Sequence, residues 1–211
     1  MIRVAAEVRE ARAVGATTVG GTLAVCRNVG IRFLGTGGIG GVHRGWQEHV
    51  DISPDLLELV RGQTLVVAAG VKSLLDVAAT AELLETLGIP TVGFRTDTLP
   101  RFYTAHGGPR TSARVDSPED AAAIASAHWA LGGGGILLAR APDENLDVDD
   151  LIEDALRAAK REDVHGQAVT PFVLSYLHRE SDGATLRANK ELVAANAQLA
   201  AEVAVAYARA E

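Results

Sequence analysis

The sequence predicts an α/β fold of three layers, α/β/α, with a largely parallel central sheet and helices in the carboxyl-terminal part of the chain. The first observation is that short apolar runs alternate with helix-forming segments. The second is the segment 65–94, where an apolar run, a helix ended by Gly88 and Pro90, and another apolar run follow one another. Such a unit joins parallel strands through a helical crossover. The length of 211 residues, 47% of them hydrophobic, suits one domain.

The individual elements are predicted from the signals at their ends. Thr17 and Thr18 offer the N-cap of a first helix, and Gly30 offers its end. The apolar run 31–34 predicts a short strand, and the many glycines of 35–45 predict a loop. Ser117 and Pro118 predict the start of a later helix. The remaining predicted elements are strands at 65–69, 91–94 and 136–139 and helices at 73–87, 149–160, 171–179 and 184–209.

The composition argues against two classes of partner. A net charge of −7 and a pI near 5.4, without a basic stripe, do not suit a nonspecific nucleic-acid surface. No segment reaches about 18 consecutive apolar residues, so no membrane partner is expected. The first residues lack the apolar core of a secretory signal, and we expect a cytoplasmic protein. Cys26 is the single cysteine of the sequence, which excludes a disulfide framework within one chain.

Lys72 is the first candidate for chemistry. The sequence holds only three lysines against 17 arginines, and this lysine directly follows the apolar run 65–71. Ligands of open α/β sheets bind beyond the carboxyl ends of such strands. Partial burial would lower the pKa of a lysine and make its amine a nucleophile toward a sugar or carbonyl carbon. The alternative, equally open from this feature, is a lysine that extends its charged end to water.

The glycine-rich stretch 35–45 is the second candidate. Gly35, Gly37 and Gly40 satisfy the spacing G-x-G-x-x-G, but no apolar helix follows them, and no Gly-Lys-Ser/Thr closes a phosphate loop. We interpret the stretch as a backbone that passes close to a ligand, with His43 and Arg44 pointing into the same cleft. The alternative is a tight loop that only turns the chain.

Asp51, Ser53 and Asp55 form the third candidate. Two carboxylates four residues apart, with a hydroxyl between them, could hold a hard divalent cation and a phosphate, because such cations take oxygen ligands and keep several waters. The alternative, which composition favours, is that Ser53 caps a helix beginning at Pro54.

Five blocks of the sequence carry a resemblance to a known family. The blocks GATTVGGT (15–22), TGGIGGVHRG (36–45), DISPDLLEL (51–59), AGVKSLLD (69–76) and TPF (170–172) resemble the pseudouridine-5'-phosphate glycosidase family, also called indigoidine synthase A-like proteins. They follow the family's order and spacing over nearly all of this chain. Members of the family carry a substantial N-terminal region before the first block. We therefore expect a single domain of this type, 1–211, lacking that region.

The resemblance implies an enzyme with a covalent mechanism. Family members cleave the carbon–carbon glycosidic bond of pseudouridine 5'-phosphate, giving uracil and ribose 5-phosphate, and use a lysine that forms a ring-opened adduct with the sugar C1. Lys72 matches this lysine. Asp51 matches an aspartate associated with Mn²⁺, one ion per subunit, although Mg²⁺ suits the same ligand. The resemblance also implies a homotrimer.

The resemblance further implies a set of substrate contacts. Asn196 resembles a family asparagine near the base, although the preceding residue is Ala195, where the family has another asparagine. The complete implied set of substrate-binding residues is Val19, His43, Ser53, Pro54, Asp55 and Asn196.

Two departures from the family leave alternatives open. The family's general acid is a glutamate far upstream, and a second substrate-binding lysine precedes the first block; neither position exists in these 211 residues. Positioned acid–base catalysis contributes on the order of 10² to 10⁴ in rate, so we expect impaired turnover. The alternatives are a noncatalytic remnant or assembly subunit that retains sugar-phosphate binding, and a lysine-dependent aldolase of another sugar phosphate.

Overall fold

The computed structural model describes residues 16–47 and 50–210. Its first helix, α1, spans Val19–Val29. The Thr18 side chain accepts a hydrogen bond from the backbone N–H of Gly21, and Gly30 adopts a left-handed conformation at the carboxyl end. Both end signals that the sequence predicted are therefore confirmed.

The centre of the fold is a five-stranded parallel sheet. Its strands are β1 (Phe33–Gly35), β3 (Leu65–Ala68), β5 (Thr91–Phe94), β6 (Ala113–Val115) and β7 (Ile136–Arg140). Their order across the sheet is β1-β3-β7-β5-β6, and every neighbouring pair is parallel. A separate antiparallel pair consists of β2 (Val42–His43) and β4 (Leu75–Asp76).

The remaining helices surround this sheet. They are α2 (Pro54–Arg61), α3 (Val77–Thr86), α4 (Pro118–Ala130), α5 (Asp149–Arg161), α6 (Val169–Glu180) and α7 (Ala184–Ala210), with a 3₁₀ turn at Gly166–Ala168. Among the described residues, no helix is long and apolar enough to cross a membrane.

Helices cover both faces of the sheet. Since successive side chains of a strand point to opposite sides, they enter two different cores. In β3, Leu65 and Val67 belong to a core shared with α4 and α7. Val66 and Ala68 belong to a second core, to which α1, α2, α3, α5 and α6 contribute. The predicted three-layer α/β/α fold with a largely parallel sheet is confirmed.

Two local predictions need correction, and one strand was missed. The helix predicted at 73–87 begins only at Val77, because the residues before it form β4 and Asp76 caps the helix through the N–H of Ala79. The stretch predicted as a loop, 35–45, contains β2, which pairs with β4. The edge strand β6 was not predicted. In addition, β7 lies between the two strands of the predicted unit 65–94.

Candidate active site

The candidate site lies at the carboxyl edge of the sheet, where two loops run side by side. We call 36–41, which follows β1, the glycine loop, and 69–74, which follows β3, the lysine loop. The N–H of Ile39 donates to the carbonyl oxygen of Gly70 at 3.1 Å, and the N–H of Lys72 donates to that of Ile39 at 3.2 Å. A third bond joins the Ala69 N–H to the Gly37 carbonyl oxygen at 2.8 Å. The two loops therefore extend the parallel pairing of β1 and β3 beyond the sheet.

The glycine positions of this loop are packed so closely against protein atoms that a side chain cannot be accommodated there. A Cβ at Gly38 would collide with the Phe102 ring, and a Cβ at Gly40 would collide with the Ser53 hydroxyl. The atoms nearest to these two glycines therefore belong to other residues of the protein. The predicted close approach to a ligand stays a prediction.

Lys72 lies in the lysine loop directly after a left-handed turn. Gly70 has a φ of +74°, and a Cβ there would collide with the Pro100 carbonyl oxygen. The Lys72 side chain is partly buried, and within 16–47 and 50–210 its amine has neither a hydrogen bond nor an ion pair. The Lys72 amine is therefore not engaged by any described protein group.

Asp55 occupies the opposite side of the glycine loop and is 2% exposed. Its Oδ1 accepts the backbone N–H of Gly20, in the first turn of α1, at 2.6 Å. Its Oδ2 accepts the N–H of Gly40 at 2.8 Å. Ser53 is the N-cap of α2, since its Oγ accepts the N–H of Asp55 at 3.2 Å. The predicted cap is confirmed, and a single carboxylate joins α1, α2 and the glycine loop.

Asn196 holds the other end of the glycine loop. It lies on α7, is completely buried, and donates from Nδ2 to the carbonyl oxygens of Thr36 at 2.7 Å and Gly37 at 3.4 Å. Its Oδ1 has no hydrogen-bond partner in the described part of the chain. We call Ser53, Asp55 and Asn196 the inner site.

The outer site, as we call His43, Asp51 and Lys72, is more open. His43 Nδ1 lies 3.7 Å from Asp51 Oδ2, and the His43 backbone N–H donates to the Asp51 carbonyl oxygen at 3.0 Å. The Asp51 side chain is 43% exposed. Arg44 does not pair with an acid in the described residues; it donates to the carbonyl oxygens of Ser73 and Leu75.

A cavity of about 860 Å³ adjoins the outer site. His43, Arg44 and Asp51 line it on one side, while Lys160 and His165 line it from α5 and the segment that follows. Sequence reasoning missed Lys160 and His165, because nothing in the local sequence connects them to a loop more than 100 residues away. Lys72 is not among the described lining residues of this cavity.

The outer site fits a divalent ion only if the ion stays largely hydrated. The described ranges contain no group of three or more His, Cys, Asp or Glu side chains that could enclose a metal. A hard cation such as Mg²⁺ or Mn²⁺ often keeps several waters and takes one or two carboxylates. The exposed carboxylate of Asp51 suits that arrangement.

The structure brings most of the predicted site residues to one edge of the sheet. Val19 and Pro54 are the first residues of α1 and α2, and the bond between Gly20 and Asp55 holds these two helix starts together. The other predicted site residues bond to the glycine loop, follow it in the sequence, or bond to the residues that follow it. The roles of all these residues in binding and catalysis remain predictions.

Two curated proteins with similar sequences carry the same name. A pseudouridine-5'-phosphate glycosidase of Herpetosiphon aurantiacus is 48% identical over 198 residues, which cover 91% of this chain and 65% of the relative. One from Myxococcus xanthus is 46% identical over 205 residues, covering 94% of this chain and 68% of the relative. The chain thus spans about two thirds of the length of these relatives.

Solved structures support the same grouping. The prealnumycin C-glycosynthase AlnA, in complex with ribulose 5-phosphate, superposes with a TM-score of 0.85 at 39% identity, covering 93% of this chain and 67% of AlnA. An indigoidine synthase A-like protein of Thermotoga maritima gives 0.82 at 39% identity, covering 90% and 64%. The family described as indigoidine synthase A like protein matches residues 2–206. The chain therefore belongs to the indigoidine synthase A-like family.

Proposed function

We propose that this chain carries the lysine-bearing part of a pseudouridine-5'-phosphate glycosidase site. Its substrate would be pseudouridine 5'-phosphate and its products uracil and ribose 5-phosphate. The observation that carries the proposal is Lys72, an amine without a described partner at the carboxyl edge of a parallel sheet. The names of the curated relatives and the sugar phosphate bound to AlnA support it.

Lys72 would act as the nucleophile. A carbon–carbon glycosidic bond has no electronegative leaving oxygen to protonate, so direct hydrolysis is difficult. Attack of the Lys72 amine on C1 would break the bond from C1 to the ring oxygen, which takes up a proton as the sugar ring opens. The base carbon then takes up a proton, and the nitrogen lone pair forms an imine with C1 as the bond from C1 to the base breaks and its electron pair passes to the base. Water then hydrolyses the adduct, and this releases ribose 5-phosphate and restores the amine.

The outer site would bind the metal and part of the substrate. We propose that Asp51 holds Mn²⁺ or Mg²⁺ mainly through its exposed carboxylate, and that the ion supplies positive charge near the sugar phosphate. His43, Val19 and the segment Ser53-Pro54-Asp55 would contact the substrate, in line with the family resemblance. Asn196 would lie near the base.

Turnover by the 211-residue polypeptide alone is expected to be weak. The resemblance assigns the general acid to a glutamate that these residues do not contain. Loss of a positioned acid costs on the order of 10² to 10⁴ in rate. Adduct formation, which depends on Lys72, is expected to persist. Turnover of pseudouridine 5'-phosphate by this polypeptide at a rate typical of enzymes would contradict this expectation.

The experiment that tests the proposal is borohydride reduction in the presence of ribose 5-phosphate and Mn²⁺, followed by peptide mass spectrometry. We expect a single adduct, on the peptide that contains Lys72. Lys72→Arg should abolish it, whereas the matched variant Lys160→Arg should leave it unchanged. Absence of an adduct from all lysines of the wild-type protein would overturn the proposal.

A noncatalytic subunit is the second candidate, favoured if the chain binds ribose 5-phosphate without forming an adduct. Isothermal titration of ribose 5-phosphate, run beside the borohydride experiment, separates the two. An aldolase of another sugar phosphate is favoured instead if an adduct forms but uracil never alters the yield of the adduct.

The homotrimer and the cytoplasmic location remain predictions. Light scattering of the purified chain tests the homotrimer.

A further inference from the structure

Asp55 is chemically unsuited to bind a phosphate through its side chain. Both carboxylate oxygens already accept short hydrogen bonds from backbone N–H groups, and the residue is 2% exposed. A carboxylate offers only acceptors, so it repels a phosphate instead of bonding to it. The two N–H donors come from Gly20 and Gly40, 35 and 15 residues distant in the sequence. The side chain therefore serves the fold around it.

Asn196 serves the same loop from the other side of the sheet edge. Its amide group donates to Thr36 and Gly37, the first two residues of the glycine loop, and the side chain is completely buried. Close packing leaves the loop little freedom there, because a Cβ on the preceding Gly35 would collide with the backbone of Ala197 on the same helix. One end of the loop is thus bonded to α7 and the other to α2.

The middle of the glycine loop is bonded to the candidate nucleophile. Ile39 is completely buried, and its carbonyl oxygen accepts the N–H of Lys72 at 3.2 Å. Ile39 directly precedes Gly40, which Asp55 holds. A shift of Gly40 therefore displaces the carbonyl group that locates the Lys72 backbone. Displacements of about 1 Å around reacting groups can lower a rate by about 100-fold.

We infer that Asp55 and Asn196 are positioning residues that hold the glycine loop at its two ends and thereby fix Lys72, and that their side chains do not bind the sugar phosphate. The inference rests on the proposed function of Lys72. It replaces the phosphate contact that the family resemblance suggested for the Asp55 side chain, and it gives Asn196 a structural role in addition to its expected place near the base. It leaves the backbone of 53–55 free to contact a substrate.

The test uses an isosteric pair of variants. Asp55→Asn keeps the shape but places an amide N–H₂ against one of the two N–H donors, so one bond is replaced by a contact between donors. Asn196→Asp keeps the shape but places a carboxylate against two carbonyl oxygens. Asp120→Asn is the control, because Asp120 is an exposed residue near the start of α4 that bonds to Ser117.

The first measurement is the rate of borohydride trapping on Lys72 at a series of ribose 5-phosphate concentrations with Mn²⁺. For both variants we expect the maximal rate to fall about 10- to 100-fold and the half-saturating concentration to change less than about 3-fold. The control should match the wild type. A half-saturating concentration raised about 10-fold or more, with an unchanged maximal rate, would overturn the inference, because it would indicate direct binding of the sugar phosphate.

The second measurement does not depend on catalysis. Hydrogen exchange of backbone amides, read by NMR, reports the bonds of Gly40 and Lys72 separately. In Asp55→Asn we expect faster exchange at both amides. Faster exchange at Gly40 with unchanged exchange at Lys72 would show that Asp55 acts only locally, and would overturn the inference.

The two measurements separate failure of the inference from failure of the proposed function. If the wild-type protein forms no adduct, the proposed function fails, and hydrogen exchange alone decides whether the loop is coupled to Lys72. If Asp55→Asn does not fold, Asn196→Asp and the milder Asn196→Ser undergo both measurements in its place. Wild-type exchange at Lys72 and wild-type trapping in these variants would then count against the inference.

Discussion

The inner and outer sites share one edge of the sheet but use their polar atoms differently. In the inner site, Asp55 and Ser53 accept backbone N–H groups, and Asn196 donates to backbone carbonyl oxygens. In the outer site, the Lys72 amine has no described partner and the Asp51 carboxylate is 43% exposed. Buried polar groups that are bonded to the backbone fix its shape, whereas exposed ones can meet a ligand. Neighbouring motif residues therefore divide into those that build the site and those that can react.

The largest expected effect comes from the outer site. Lys72→Arg removes the only group proposed to form the adduct, because a guanidinium stays protonated and cannot attack a carbonyl carbon. In any form of the protein that turns over pseudouridine 5'-phosphate, we expect the rate to fall at least about 10³-fold. Uracil release, followed by its absorbance, measures this. Since Lys72 makes no described side-chain bonds, thermal stability should hardly change, and a large loss of stability would contradict the comparison.

The next effect contrasts two left-handed glycines. Gly70, before Lys72, has φ +74°, and its Cβ would collide with the Pro100 carbonyl oxygen. Gly70→Ala should lower the free energy of unfolding by about 3 kcal/mol or more, from strain and collision together. Gly45, which follows Arg44, has φ +80° but no described atom within 4 Å of its Cβ position. Gly45→Ala should cost only about 1 kcal/mol. Urea denaturation measures both losses of stability. Equal losses would contradict the conclusion that close packing, in addition to the left-handed backbone, requires glycine at position 70.

A smaller effect appears at alkaline pH. Burial raises the pKa of Tyr103 to about 12 from its ordinary value of 10, and its ring packs against Phe102, which covers the glycine loop. The folded state therefore retains a proton that the unfolded state releases above pH 10. The contribution of Tyr103 to the free energy of unfolding is complete below pH 10. It is lost, by about 2 kcal/mol, as the pH rises toward 12.

Tyr103→Phe is the matched control for this pH dependence. Its free energy of unfolding should fall less steeply between pH 10 and 12 than that of the wild type. Denaturant titrations at several pH values measure the slopes, and parallel curves for the two proteins would contradict the assignment.

The smallest expected effect concerns the metal. Asp51→Asn should weaken Mn²⁺ binding about 10-fold, because an amide oxygen replaces a charged ligand. Its stability should stay within about 0.5 kcal/mol of the wild type, since the side chain is exposed. Electron paramagnetic resonance of free Mn²⁺ measures the binding, with Asp120→Asn as the control. Unchanged binding would remove Asp51 from the outer site.

Elements with strong local signals could be predicted from the sequence. The strand Thr91–Phe94 is a short apolar run directly after Pro90, and its observed bounds match the prediction. The helix α4 begins where Ser117 and Pro118 indicate. Strand Ala113–Val115 could not be predicted, because it is three residues long, contains an exposed arginine, and forms by pairing with β5 about 20 residues earlier. The same holds for β2 and β4, two residues each, which depend on each other.

The sequence by itself determined the α/β class, the position of Lys72 after a buried strand, and the N-cap of α2 at Ser53, because each depends on residues adjacent in the chain. Only the tertiary structure decided what Asp55 and Asn196 do. Their partners lie 15, 35 and about 160 residues away, and hydrogen bonds over such separations exist only after the sheet and helices have packed. A carboxylate in a motif looks the same whether it meets a ligand or a backbone N–H, and burial against the folded chain makes the distinction.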